Sequence, residues 1–190
     1  MDSVRQFDSA GRPGTSRGKK TFLGFGFGPI QSALFLYEAY CSGNFDRYVI
    51  AEVDAGLVGA VRAAGGRYAI NIAHPDRIEK VVVDGVRLCD PAEQSDRNEL
   101  VEAVAAADEM ATALPSVQFY DTGDAASVAK LLADGFQRRD PSKPVIIYAA
   151  ENHNRAAEIL FQRLSPRVRA DALGRVQTLN TVIGKMSGVI

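Results

Sequence analysis

Short apolar runs alternate along this chain with longer stretches in which apolar positions recur at three- and four-residue spacing. TFLGF, from Thr21 to Phe25, is bounded by glycine and reads as a buried strand. Ile30, Ala33, Leu34 and Tyr37 then fall at i, i+3, i+4 and i+7, one face of a helix ending before Ser42-Gly43-Asn44. RYVIAEVD is an apolar strand closed by acids, and the Ala- and Val-rich helix after it stops at Gly65-Gly66. After this β-α-β-α start the character changes. In YAINIAHPDRIEKVVVDGVRLCDP the apolar residues alternate around Asp84-Gly85, which predicts a small antiparallel excursion about that turn rather than another crossover.

Helical spacing returns at Leu100, Val101 and Val104, before the strand EMATALP, which Pro115 stops. Val128, Leu131, Leu132 and Phe136 mark a further helix, and Pro144 opens VIIYAA, an apolar run typical of a central parallel strand. A helix over 154–164 and a last strand in VQTLNTVI complete the pattern. The alternation predicts an α/β chain with one doubly wound, mostly parallel sheet and a small antiparallel insertion. Residues 1–19, rich in Gly, Ser, Arg and Pro, read as a flexible tail, leaving 20–190 as a single domain.

Composition narrows the partners. The 22 Lys and Arg nearly cancel the 23 Asp and Glu, so no broad field draws the chain to nucleic acid or an anionic membrane. No apolar run approaches the roughly 20 residues that span a bilayer, and the first residues lack the apolar core of a secretory signal. Cys41 and Cys89 cannot build a disulfide framework, which fits a reducing cytoplasm. With His74 and His153 as the two histidines, a closed His/Cys zinc site is not expected. A small-molecule partner is the expectation that remains.

The candidate chemistry begins at TFLGFGFGPIQ. A strand, a tight turn and a helix N-terminus converge backbone N–H groups and the positive end of a helix dipole on one point, suited to a pyrophosphate. Gly26 would make the turn, and Gly28, lacking a Cβ, would let the backbone approach the phosphates. The register from Gly26 is G-x-G-x-x-Q; Gly24, Gly26 and Gly28 give an alternative alternating register. Pro29 suits the first helical turn but removes one phosphate donor. Gln31 occupies the place of the third glycine, which implies a wider helix–strand approach or a polar contact to the cofactor. Roughly 20 residues on, Glu52 or Asp54 ends the second strand, where a carboxylate accepts ribose hydroxyls and repels a 2'-phosphate. Glu52 is favoured for the ribose and Asp54 for capping the next helix, so NAD is expected over NADP; Arg47 and Arg62 are the cations that could reverse this. PGTSRGKKT imitates a phosphate-binding Walker loop, but Pro13 and Lys20 replace its essential glycine and hydroxyl, and it precedes the first strand.

Taken together, these segments resemble the N-terminal Rossmann domain of the polyol-specific long-chain dehydrogenases, the mannitol 2-dehydrogenase and mannitol-1-phosphate 5-dehydrogenase family. FGFGPIQ is similar to that family's F-G-x-G-x-I-G loop, IAEVD to its A-D-V segment, and ADEMATALP to A-D-L-V-T-T-A-V-G. YAAENHNRA resembles its C-E-N or C-D-N segment, and LNTVIGKMSG its N-S-x-V-D-R-I-T segment. The resemblance implies NAD held by Gly26, Phe27, Gly28, Pro29, Ile30, Gln31 and Glu52, with Ala113 and Leu114 under the nicotinamide. It implies that Asn152 lies by the nicotinamide and the reacting carbonyl, where an amide donor stabilises alkoxide charge, and that Asn180 and Lys185 face the substrate, a polyol or polyol phosphate. Gly184 and Lys185 depart from the family's acid and arginine, and residues 151–152 read without the family as a helix start.

The family takes its general base from a Lys-x4-Asn-x2-His pattern in a C-terminal helical domain, and no such pattern occurs in these 190 residues. The expectation is therefore the NAD-binding part of an oxidoreductase that moves a hydride between a sugar alcohol and nicotinamide, partnered by that helical domain and not turning over alone. A nucleotide-sensing module without catalysis is one alternative; another Rossmann-type enzyme, such as a methyltransferase, is a second.

Overall fold

A computed structural model describes residues 20–184; the segment 1–19 and Lys185 lie outside the described residues. In chain order the elements are β1 (Thr21–Phe25), a π-helical stretch (Gln31–Phe35) running into α1 (Leu36–Ser42), β2 (Arg47–Ala51), α2 (Ala55–Ala63), β3 (Tyr68–Ala73), β4 (Ile78–Val83) and β5 (Val86–Cys89). They continue as α3 (Gln94–Ala106), β6 (Glu109–Thr112), a 3-10 turn (Val117–Asp121), α4 (Val128–Arg138), β7 (Val145–Ala149), α5 (Ala156–Leu164), α6 (Ala170–Leu173) and β8 (Val176–Asn180).

Six strands form one parallel sheet in the order β5-β2-β1-β6-β7-β8, and β3 and β4 form a separate antiparallel pair. Numbered among themselves, the six run 3-2-1-4-5-6, so the chain winds outward from β1 in both directions. β1 is central and buried along its whole length, which explains its continuous apolar run. Its side chains divide between two cores. Leu23 and Phe25 pack with Leu100, Val104, Leu131, Leu132 and Leu160 of α3, α4 and α5. Phe22 packs on the opposite face with Leu36, Val58 and Val61 of α1 and α2.

One boundary differs from the pattern reading. The antiparallel pair turns at His74-Pro75-Asp76-Arg77, where the His74 N–H donates to the Arg77 carbonyl at 2.8 Å, and not at Asp84-Gly85. Pro75 presets φ for the second position of such a turn and Asp76 suits the third, so turn chemistry outweighed alternation. Gly85, at φ +69°, instead releases the chain from β4 into β5. Val86 to Cys89 then pair in parallel with Tyr48 to Ala51, making this segment the third strand of the main sheet. Among the described residues no helix is long and apolar enough to cross a membrane.

Candidate functional site

The connections from β1 and β6 leave the sheet toward opposite faces, and between their carboxyl ends lies a cavity of about 500 Å3. The loop Gly26 to Pro29 forms one side, Ala51 to Val53 the next, and Ala113 to Pro115 the third. Phe119, Val128 and Leu131 make an apolar far wall. Phe119 and Val53 are both exposed here although large and apolar.

Gly26 shapes the loop. Its φ is +82°, and a Cβ there would stand 2.8 Å from the Ala113 carbonyl oxygen. Its N–H donates to the Ala51 carbonyl at 2.8 Å, while Ala113 N–H donates to Phe25 at 3.0 Å, tying the turn to β2 and β6. At Gly28 a Cβ would meet nothing within 4 Å, so the backbone faces open space. The Gly28 carbonyl accepts from Ser32 N–H at 2.9 Å, so the first-turn N–H groups ahead of Ser32 precede that helical bond.

Gln31 lies elsewhere than its position in the motif implies. Its side chain is fully buried and does not line the crevice; its amide fills the space over Gly24, where a Cβ would also come within 2.6 Å of Ile50 Cδ1. Helix and strand thus approach closely because the strand, not the helix, carries the glycine. Both amide atoms of Gln31 lack a hydrogen-bond partner. Ile30 is half-buried and also outside the lining.

Of the two acids after β2, Asp54 takes the capping role that the sequence favours for it. Asp54 Oδ1 accepts from Leu57 N–H at 3.0 Å and caps α2. Glu52 reaches the crevice. Its Oε2 accepts from Phe27 N–H at 2.7 Å, and its Oε1 accepts from Val53 and Asp54 N–H at 2.7 and 2.9 Å. Three donors fix this carboxylate beside the glycine loop. The two cations that could attract a 2'-phosphate are engaged elsewhere: Arg62 with the Leu88 carbonyl and Asp96, Arg47 with Glu99 at 3.5 Å.

Ala113 and Leu114 line the crevice, whereas Asn152 and Asn180 do not. Asn152 is exposed. The Asn180 Oδ1 accepts from Ala157 N–H at 2.8 Å and its Nδ2 donates to Glu158 at 2.7 Å, so this amide caps the start of α5. That contact holds the Glu158 carboxyl below the usual range. His153 is exposed, its Nδ1 accepting from Arg155 N–H at 3.1 Å within a local turn.

Two groups have roles that the sequence did not signal. Tyr68, at the foot of the β3–β4 hairpin, packs edge-on against Phe27 at 5.0 Å and donates its hydroxyl to the Ser32 carbonyl at 2.6 Å. The hairpin thereby buttresses the glycine loop from behind, and burial pushes the Tyr68 hydroxyl well above the ordinary tyrosine range. Glu151, at the end of β7, is buried: Oε1 accepts from Leu114 N–H at 3.0 Å, and Oε2 accepts from the Thr112 hydroxyl at 3.0 Å and from the Tyr120 hydroxyl. Burial first, and Glu151 second, raise the Tyr120 hydroxyl far above its usual value.

Strand order, the glycine turn and the crevice at the switch point define a Rossmann-like α/β fold. No protein-family model matches the chain, and no curated protein matches it either.

Proposed function

We propose that this chain binds NAD(H) in the β1–β6 crevice and is the coenzyme-binding part of an oxidoreductase acting on a sugar alcohol or its phosphate. One observation carries the coenzyme reading. The open face of Gly28, at the entry to the first helical turn, stands beside a carboxylate, Glu52, that backbone donors hold at the loop, both lining one cavity of about 500 Å3. A dinucleotide needs that combination: N–H groups for its diphosphate, an acceptor for a ribose hydroxyl, and apolar walls such as Val53 and Phe119 for a ring. Oε1 of Glu52 already accepts twice and Oε2 once, which leaves Oε2 an acceptor site for a hydroxyl. The fixed negative charge disfavours a 2'-phosphate. When bound, nicotinamide supplies the hydride chemistry; Ala113 and Leu114 would carry the ring and exclude water beneath it. The polyol substrate rests on the family resemblance.

A non-catalytic nucleotide-binding module is favoured by a different observation: Glu52 is the one titratable side chain lining the crevice among the described residues, and it already binds three N–H groups. Calorimetric titration with NADH, NADPH and S-adenosylmethionine tests the coenzyme reading. NADH is expected to bind tightest; a preference for S-adenosylmethionine, or no binding, overturns it. A Lys-x4-Asn-x2-His segment encoded downstream of Ile190 supports the dehydrogenase over the module, and these residues alone are expected to leave mannitol 1-phosphate unoxidised.

A further inference from the structure

We infer that Glu151 is a positioning residue for the nucleotide crevice: from outside the cavity its buried carboxylate fixes the Ala113–Pro115 lip and the Phe119 wall. Its effect on affinity rests on the nucleotide reading above; its effect on the lip does not. β6 ends at Thr112; Ala113 N–H still donates to Phe25 of β1 at 3.0 Å, and beyond Ala113 the strand ladder no longer holds the backbone. Ala150 N–H still donates to Thr112 at 2.9 Å, and one residue further along β7's continuation Glu151 takes over from the ladder. It replaces the backbone acceptor by a side-chain one, at Leu114 N–H. The same carboxylate holds Thr112, the last residue of β6, and Tyr120, the residue after Phe119.

Three features make this more than general packing. Glu151, Thr112 and Tyr120 are 5%, 0% and 0% exposed, so the carboxylate is desolvated and relies on these donors. All three donors belong to the segment that follows or ends β6, so one group sets the spacing between the lip and the 3-10 turn. The crevice lining includes the neighbours of these donors, Ala113, Pro115 and Phe119, but not Glu151 itself.

The variants that test this are Glu151→Leu, Glu151→Gln and Tyr120→Phe, with Arg139→Met as a stability control far from the crevice. In Glu151→Leu the Leu114 N–H loses its acceptor, and its hydrogen exchange, read by NMR without nucleotide, is expected to rise at least about tenfold, with NADH affinity falling by a similar factor. Glu151→Gln is expected to rescue both: its carboxamide oxygen accepts from Leu114 while its NH2 donates to the two hydroxyl oxygens. Arg139→Met is expected to lower the melting temperature and leave NADH affinity unchanged. Unaltered Leu114 exchange in Glu151→Leu overturns the inference, as does an equal loss of affinity in Arg139→Met at matched melting temperature. Should Glu151→Leu not fold, Tyr120→Phe decides: it frees one side of the pair, and unchanged NADH affinity there sinks the proposal. If the unsubstituted protein binds no NADH, the nucleotide reading falls, and the exchange comparison still decides what Glu151 does.

Discussion

Gln31 and Gly24 show how one packing requirement can be met from either of two facing positions. The spacing in FGFGPIQ predicts a problem at residue 31, where a side chain should push helix from strand; the buried amide instead occupies the volume left by Gly24. That solution carries two unpaired buried amide atoms. Gln31→Leu keeps the volume and removes them, and is expected to stabilise the fold by roughly 1 kcal/mol, read as a higher urea midpoint with unchanged slope. Gly26→Ala should do the reverse. Its φ of +82° and the 2.8 Å approach to Ala113 leave no place for a methyl group, so a loss of about 1–3 kcal/mol is expected in thermal unfolding, together with weaker NADH binding. The glycines of the loop were legible in the sequence because each suits only a few backbone conformations. Asp54 as the cap of the next helix was legible too, because a capping carboxylate meets an N–H three residues on; that Glu52 would accept from Phe27, 25 residues away, was not.

At the level of elements, helices and strands with strong periodicity, such as the one around Leu131 and Phe136, form as their patterns predict. Alternation alone puts the β3–β4 turn at Asp84-Gly85, because it continues across that dipeptide while the strands change partners there. Periodicity says which face a residue takes and is silent on which strand it pairs with. The end of α3 depends on a contact with no local signature. Arg139 donates to the carbonyls of Val104, Ala105 and Ala107 at 3.2, 3.0 and 2.7 Å, and to Pro144 at 2.8 Å, joining the end of α3 to the start of β7. Burial lowers this guanidinium's proton affinity, but the charge satisfies carbonyls that the helix end leaves open. Arg139→Met is expected to cost about 3 kcal/mol in chemical denaturation, because several buried acceptors lose their donor at once.

For the molecule as a whole, the charge at the crevice and the protonation of buried groups both lead to measurable outcomes. Glu52→Gln removes the negative charge while keeping the side-chain shape, and should narrow the preference for NADH over NADPH by about tenfold in paired titrations. Burial pushes the Cys89 thiol up to about 12 from 9.0, and raises Tyr68 and Tyr120 above the ordinary tyrosine range. Each raised group binds its proton more tightly when folded. Their contribution to stability is therefore full below the ordinary thiol range and is lost as pH rises through the raised values. The urea midpoint is expected to fall as pH rises from about 9 toward about 12, less steeply in Cys89→Ala. Cys41, exposed, should react with a thiol reagent in the folded protein, and Cys89 only on unfolding.

The α/β class, the parallel sheet and the glycine turn were determined by the sequence itself, because apolar period, turn chemistry and the steric freedom of glycine act over a few neighbouring residues. The partners of Glu52, Glu151 and the Asn180 amide were decided only by the tertiary structure. Glu52 meeting Phe27, Asn180 capping α5 and Glu151 holding Leu114 join residues 25, 23 and 37 positions apart, distances over which no local pattern specifies which donor faces which acceptor.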